Sequence, residues 1–532
     1  MKTRAELEQE NAKIQDELAQ ARVSLLNNEA HHQAVIESKD STIESKNAFI
    51  EQLKEALVLA QRRQFAKATE TLRSLQSELF DESEVESRPD LPLDGSDADA
   101  VEVPAHTRKR SGRKKLPEDL PRVEVVHDLS DDEKVCPHDG STLKLIGEKT
   151  SEQLDIIPMQ IQVIRHIRKQ YVCSCCQQQG NAFLKTAAKP KQAIEKSQAS
   201  AGLLAYIAVG KYADSLPLYR QSTILGRFGV EMNRTTLANW MIKCGELVQP
   251  LINRFEEQLL SQPYLHMDET PVQVLNESGK AAESKSYMWV RSAGPPDQRL
   301  VLFDYDPSRG GAVPRKLLAD YQGALMVDGY EGYEPVCREQ ALTRLGCWVH
   351  ARRKFVDVSK ASKKKNSQAA YAIKLIAKLY AIEKANKGSS SDARYQARLE
   401  DAKPIIEKLK LWLDETRPKV PPKTTLGKAL HYLNHQWPRL IAYLEDGRYP
   451  IDNNPVENAI RPFAIGRKNW LFSASVKGAK ASSNLYSLIE TAKANSLEPY
   501  AYLMQVFAEL PNAESFDDVD RLLPNNIKGV DD

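Results

Sequence analysis

The stretch DNNPVENAIRPFAIGRKNW (452–470) couples one acid to a row of bases. On a helix, Asn453, Asn454, Glu457 and Arg461 fall at i, i+3 and i+4 spacings and share one face. Arg467 and Lys468 follow about two turns later. A carboxylate that faces a cation-rich strip suits a site whose substrate is a polyanion. Two other short stretches carry a matching acid: HMDETP (266–271) around Asp268 and VDGYEGY (327–333) around Asp328.

The chain has 72 acidic side chains and offers many triplets, so position carries the argument. Strand-like runs occur at YLHMDETPVQVL (264–275), SYMWVRSA (286–293) and RLVLFDYD (299–306). A helix near 311–320 follows, then GALMVDGY (323–330), another helical stretch, and LGCWVH (345–350). Asp268 lies in the first run, and Asp328 ends the fourth, 328 − 268 = 60 residues on. Glu457 comes later, on the helix of the opening stretch. This order of strands and helices is that of an RNase H-like α/β domain. In that fold the first and fourth strands are neighbours, so Asp268 and Asp328 stand side by side at a sheet edge. The helix of Glu457 packs across them.

Such a grouping suits hard divalent cations, Mg²⁺ or Mn²⁺, which take oxygen ligands and keep positions open for water and phosphate. Two ions about 4 Å apart activate an attacking oxygen and stabilise a leaving one. Asp268, Asp328 and Glu457 are the candidate ligands, and Arg461, Arg467 and Lys468 the candidate phosphate contacts. The competing reading of each acid is a helix cap or a surface ion pair, with Glu269, Asp304 and Asp452 as decoys. His350, Arg352, Arg353 and Lys354 follow the fifth strand-like run. They read as phosphate contacts or as the solvated start of a helix.

With 532 residues the chain holds several domains, and its net charge of +2 excludes a uniformly basic nucleic-acid binder. No apolar run approaches the roughly eighteen residues of a membrane span. The polar start MKTRAELEQENAK is not a secretory signal. A cytoplasmic, multidomain α+β protein is expected. Residues 1–78 read as an imperfect coiled coil through which the chain self-associates. Ile36, Ile43, Ile50 and Leu57 repeat every seven residues, and polar residues such as Asn11 and Lys46 occupy core positions. A long helix packed on its own protein is the alternative.

Residues 79–120 read as a disordered linker, first acidic and then basic at HTRKRSGRKKLP (106–117). There Arg108, Arg110, Arg113 and Lys114 either contact DNA phosphates or pair with the acidic stretch beside them. Residues 121–190 alternate like short strands around four cysteines. Cys173 and Cys176 form an intact knuckle, and Cys136 stands in an incomplete one. Structural Zn²⁺ completed by Asp139 or His138 is one reading; a knuckle that holds its shape without metal is the other. Residues 191–260 are helical. Within them SLPLYRQSTILGRFGVEMNRTTLANWMIKC (215–244) has the form of a helix-turn-helix, with Gly229 in the turn and Asn233 as an N-cap. Arg234, Thr235 and Asn239 would then face a DNA groove; two ordinary core helices fit the pattern equally.

The chain resembles transposases of the insertion sequence 66 family, within the wider DDE transposases. HMDETP (266–271), VDGYEGY (327–333), CWVHARRKF (347–355) and NNPVENAIRPFAIGRKNWLF (453–472) carry the likeness. RRQFAKATE (62–70), the cysteine segment and the linker before LPEDLPR match more loosely. The resemblance implies an N-terminal coiled coil, a zinc-finger-like segment, a helix-turn-helix, and an RNase H-like catalytic core. That core comprises 261–350 and 451–495, split by a helical insertion at 351–450, with 496–532 as a tail. It implies that Asp268, Asp328 and Glu457 are the acidic triad. It also implies double-stranded DNA partners (transposon ends and target), accessory proteins encoded by the same element, and a nucleoid-associated protein of the bacterial cytoplasm. Asp139 departs from the pattern where a second cysteine is expected. Cleavage at terminal inverted repeats and transfer of 3′ ends is the implied activity. A nuclease without strand transfer, and a non-catalytic DNA-binding protein, are the competing readings.

Overall fold

A computed structural model describes residues 187–361 and 367–527 throughout, and scattered positions between 13 and 50 and between 121 and 186. The chain divides into two units, one of residues 67–165 and one of 1–66 with 166–532. In the first unit, residues 121–128 form no strand, and Val123, Val125 and Val126 are exposed. The strands expected from their alternation are thus absent there. Alternation needs a partner strand and a buried face to become a sheet, and neither is present among the described residues. Residues 159–169 are likewise irregular.

In the second unit, pairing begins with β1 (Gln170–Val172) and β2 (Leu184–Thr186), antiparallel to each other. Most of the expected coiled coil falls outside the described residues. Of its repeat, Leu18, Leu25, Ile36, Ile43 and Ile50 are helical and exposed. Four helices follow: α1 (Ala201–Tyr212), α2 (Leu218–Arg227), α3 (Arg234–Leu247) and α4 (Gln249–Leu260). Gly229 takes the left-handed φ of 79° that ends α2, and the Asn233 side chain accepts the Thr235 N–H to open α3. Leu237, Trp240 and Met241 are buried.

A mixed sheet then forms from β3 (Tyr264–Asn276), β4 (Lys285–Ala293), β5 (Leu300–Asp306), β6 (Ala324–Val327) and β7 (Thr343–Gly346). Its order is β5-β4-β3-β6-β7. The first three strands are an antiparallel meander, whereas β6 runs parallel to β3 and β7 parallel to β6. The short helices α5 (Ala312–Leu317) and α6 (Glu334–Glu339) make the crossovers. The fifth strand differs from expectation. It ends at Gly346, and Trp348 already belongs to α7 (Trp348–Ala361). A short apolar run has no period of its own, and Trp348, Ala351, Phe355 and Val358 form a buried helical stripe.

Between β7 and residue 452 the described residues form mainly helices: α7, α8 (Gln368–Ala385), α9 (Ser391–Ala397), α10 (Lys403–Thr416) and α11 (Thr425–Ile441). They have a core of their own, including Phe355, Ile376, Leu409 and Leu433. Buried Arg398 ties its end together, donating to Glu383 and to the carbonyls of Tyr443, Asp446 and Tyr449.

The chain returns in α12 (Asn454–Trp470), β8 (Ser473–Ser475) and α13 (Val476–Ala494). Strand β8, unforeseen, pairs in parallel with the far half of β3. Helix α13 covers the edge strand β5. Ser487 Oγ accepts the Phe303 N–H at 2.8 Å, and Thr491 Oγ1 accepts the Val301 N–H at 3.0 Å. Two hydroxyls thus satisfy backbone donors that an edge strand leaves open. Of the expected tail at 496–532, the described residues, to 527, are packed. Its α14 (Pro499–Glu509) buries Tyr502, Leu503, Val506 and Phe507, and α15 (Phe516–Asp520) follows. Their spacing is that of a helix with one apolar face.

Helices α3 and α13 touch through Gly245. A Cβ there would lie 2.6 Å from the Ala481 Cα. Gly245→Ala is therefore expected to destabilise the protein by about 1–3 kcal/mol. Gly226, in α2, has nothing within 4 Å, so Gly226→Ala is expected to be neutral or to stabilise by about 0.5–1 kcal/mol. Thermal denaturation of both variants checks the contrast; equal midpoints would contradict the close contact.

Candidate active site

Strands β3 and β6 are parallel, and their last paired positions are His266 and Met326. Two residues further along each segment stand Asp268, within β3, and Asp328, the first residue past the end of β6. Equal offsets in a parallel pair put the two side chains at one level and on one face. Asp268 is half-buried, and one of its oxygens accepts the Glu269 N–H at 2.8 Å. Asp328 accepts the Tyr330 N–H at 2.8 Å, which turns the chain away from the sheet. The third acid, Glu457, lies in the first turn of α12.

A buried amide pins the start of α12 to β3. Asn453 is fully buried, and its Nδ2 donates to the Met267 carbonyl at 3.1 Å. Its Oδ1 lies 3.1 Å from His266 Nδ1. With Nδ2 already committed, Oδ1 is the acceptor and His266 carries its proton on Nδ1. Burial, helped by Arg299 and partly offset by the bond to Asn453, pushes the His266 pKa down to about 3, so the ring is neutral. The Asn453 N–H points at Cys347 Sγ (3.3 Å), and the Trp348 N–H donates to the Ile451 carbonyl (3.2 Å). Residues 451–453 are thus bound to β3 on one side and to the start of α7 on the other.

The Asp328 loop has its own anchor. Buried Arg344 on β7 donates to the carbonyls of Asp328 (3.1 Å) and Tyr330 (2.8 Å) and to Glu334 (2.7 Å). Arg439 of α11 shares Glu334 at 2.7 Å. Gly329 sits where a Cβ would meet Tyr432 of α11 at 3.0 Å. The helical insertion therefore packs directly against the loop that presents Asp328. An arginine between Leu342 and Leu345, just before the apolar stretch LGCWV, is the sequence signal for Arg344.

The three acids share one electrostatic environment. Burial raises the Asp268 carboxyl well above its usual range, and the charges of Glu269, Asp328 and Glu457 raise it further. Burial also raises Glu457; Arg353 and Arg461 pull it down and Asp328 pushes it up. Glu457 Oε1 is buried without a hydrogen-bond partner. His350 Nε2 is 3.7 Å from Oε1, and Arg353 Nη2 is 3.6 Å from Oε2. Clustered carboxylates that repel one another, one with an unmatched oxygen, fit hard divalent cations. Asp268, Asp328 and Glu457 would supply the oxygens.

The decoy acids are engaged elsewhere. Glu269 is hydrogen-bonded by Arg309 and Tyr333, both at 2.7 Å. Asp304 pairs with buried Arg291, and Asp452 accepts the backbone and side-chain N–H groups of Asn454. Among the bases, Arg353 and Arg461 act on Glu457, Arg352 is half-buried nearby on α7, and Lys468 is exposed. Arg467 turns to β3 instead, donating to Thr270 Oγ1 and the Pro271 carbonyl. Lys354 lies over the Tyr432 ring. Arg234, Thr235 and Asn239 are exposed on α3. Cys136, Asp139, Cys173, Cys176, Arg108, Arg110, Arg113 and Lys114 lie outside the described residues.

A family model for "Transposase IS66 family" matches residues 196–481, a span that includes all three acids. Others match on either side: a "zinc-finger binding domain of transposase IS66" at 133–177, an "IS66 C-terminal element" at 487–525, and a "Transposase C of IS166 homeodomain" at 52–125. The chain is similar to the uncharacterized protein y4jD of Sinorhizobium fredii, 32% identical over 425 residues, covering 78% of this chain and 81% of that one. It is also similar to y4qI of the same organism, 33% identical over 432 residues, covering 78% and 77%. No solved structure matches.

The raised Asp268 carboxyl has a consequence for stability. Its folded pKa exceeds its ordinary value, so its favourable contribution is complete at low pH and is lost as pH rises. Without divalent cation, Asp268→Asn is expected to melt above the parent at pH 7, and the gap to close on acidification. Mg²⁺ is expected to raise the melting point of the parent and leave that of the variant in place. Equal midpoints at pH 7, both indifferent to Mg²⁺, would contradict the charged cluster.

Proposed function

The chain belongs to the IS66 family of transposases, and from that premise we propose that it cuts DNA at terminal inverted repeats and joins the 3′ ends to target DNA, with Asp268, Asp328 and Glu457 as its acidic triad. The observation that carries this reading is that Asp268, on β3, and Asp328, just past the end of its parallel neighbour β6, are coupled by charge to each other and to Glu457. An antiparallel meander continued by two parallel strands supports an RNase H-like core.

The triad would hold two Mg²⁺ or Mn²⁺ ions, which when bound supply activation of the attacking oxygen and stabilisation of the leaving one. The rest is done by the chain's own groups. Asn453 fixes the N-terminus of α12, so Glu457 keeps its place when DNA enters. Arg344 fixes the loop that presents Asp328. Arg353 and Arg461 already flank Glu457 and offer positive charge to the scissile phosphate. Arg352 and Lys468 extend that charge along the strand, whereas Arg467 chiefly ties α12 to β3.

Exposed Arg234, Thr235 and Asn239, at the front of the capped helix α3, suit a DNA groove. The basic run at Arg108, Arg110, Arg113 and Lys114 adds phosphate contacts. The zinc-finger match supports Zn²⁺ held by Cys136, Cys173 and Cys176, with Asp139 as the fourth ligand. Exposed Leu18, Leu25, Ile36, Ile43 and Ile50 suit a coiled coil that brings two chains, and so two DNA ends, together. Accessory proteins of the same element are further partners, and the bacterial nucleoid is the place of action. Among the described residues, no helix is long and apolar enough to cross a membrane.

The test is incubation of the protein with labelled element ends, Mg²⁺ and a target plasmid. The parent is expected to cleave and join. Asp268→Asn, Asp328→Asn and Glu457→Gln are each expected to lose roughly a hundredfold or more of cleavage while still binding the ends. Undiminished cleavage in any variant would remove that residue from the triad. Hydrolysis without joining would make the protein a nuclease.

A further inference from the structure

Beside the carboxylate triad lies a second group of potential ligands with a different chemistry. Cys347 Sγ, His350 and Glu457 have ligand atoms all within 4.8 Å of one another. Cys347 immediately precedes α7 and His350 lies in its first turn, while Glu457 lies in the first turn of α12. Two helix starts therefore converge on one point. Backbone N–H groups of Asn453 (3.3 Å) and His350 point at the sulfur, and Cys347 stands at the positive end of α7. Burial, with the charges of Asp452 and Glu457, outweighs these contacts and pushes the thiol up, so the bound cation itself would displace the proton. The oxygen nearest His350 is Glu457 Oε1, the buried atom with no hydrogen-bond partner.

A sulfur, an imidazole and a carboxylate are a poor set for Mg²⁺, which prefers oxygen alone. They suit Zn²⁺ and its analogues Co²⁺ and Cd²⁺. We propose that Cys347, His350 and Glu457 form a binding site for a thiophilic divalent cation, with Glu457 shared between this site and the acidic triad. The sharing makes the two kinds of metal competitors. A carboxylate oxygen directed at a Zn²⁺-class ion beside Cys347 is withdrawn from Asp268 and Asp328. Zn²⁺ then opposes Mg²⁺ at the active site by taking away a ligand. The competition rests on the triad reading; the site itself does not.

Co²⁺ tests the proposal, because thiolate ligation gives it a charge-transfer absorption and its stoichiometry is countable by equilibrium dialysis. The full chain is used, and the cysteines at 136, 173, 175 and 176 form a background common to every variant. Cys347→Ser, His350→Gln and Glu457→Gln are each expected to bind one equivalent fewer than the parent. Asp268→Asn is expected to keep the part of the charge-transfer absorption that Cys347→Ser removes. Circular dichroism melts separate the loss of a ligand from the loss of the fold, and His350→Gln leaves the sulfur's own contact with Asn453 intact. Equal stoichiometry in the parent, Cys347→Ser and His350→Gln would overturn the site. A full count in Glu457→Gln would overturn the sharing. Neither readout involves DNA, so failure of the parent to cut DNA would count against the transposase reading and not against this site.

Discussion

One buried side chain decides whether the three acids meet. Asn453 has no exposed surface, and each of its polar groups finds a partner: the Met267 carbonyl, His266 Nδ1 and Cys347 Sγ. A buried amide left unpaired costs about 1–3 kcal/mol, so the segment has little freedom to move away from β3. The partners Met267 and His266 sit next to Asp268 in sequence, and Asn453 sits four residues before Glu457. The same contact that satisfies the amide therefore sets the distance between two acids more than 180 residues apart. His266 donates to the amide from Nδ1, and burial keeps its ring uncharged.

The rest of the core follows the same logic of buried polar groups matched across distant segments. Arg344 joins β7 to the Asp328 loop and, through Glu334 and Arg439, to the helical insertion. Ser487 and Thr491 of α13 close the open edge of β5. The insertion has a hydrophobic core of its own, yet its α11 touches Gly329, next to Asp328. The helices between β7 and α12 are thereby tied to the segments that carry Asp328 and Glu457.

Much of this was legible in the residues. The period-two runs placed β3, β4, β5 and β6 to within a residue or two, and the strand order put Asp268 beside Asp328. Asn233 as a cap and Gly229 as a turn followed from their own chemistry. The misses share a cause. LGCWV (345–349) is apolar throughout, so its change from strand to helix leaves no mark in the pattern. The alternating residues at 121–128 find no partner strand among the described residues, and pairing is a tertiary fact. The segment after 496 was read as a tail because its apolar face has meaning only against α1. Arg467 was counted with the phosphate contacts because sequence shows its charge and not the carbonyl of Pro271 it meets. Cys347 and His350 were visible in CWVHARRKF, but their nearness to Glu457 depends on the return of the chain through Asn453.

The central claim is that Asp268, Asp328 and Glu457 form one site for hard divalent cations. A crystal structure of the full chain soaked with Mn²⁺, phased to show anomalous scattering, measures this directly. The account predicts anomalous density between the carboxylates of Asp268 and Asp328, with Glu457 on its border and Asn453 still bonded to β3. Density absent from that point, or an α12 whose Glu457 faces away from the two aspartates, would contradict it.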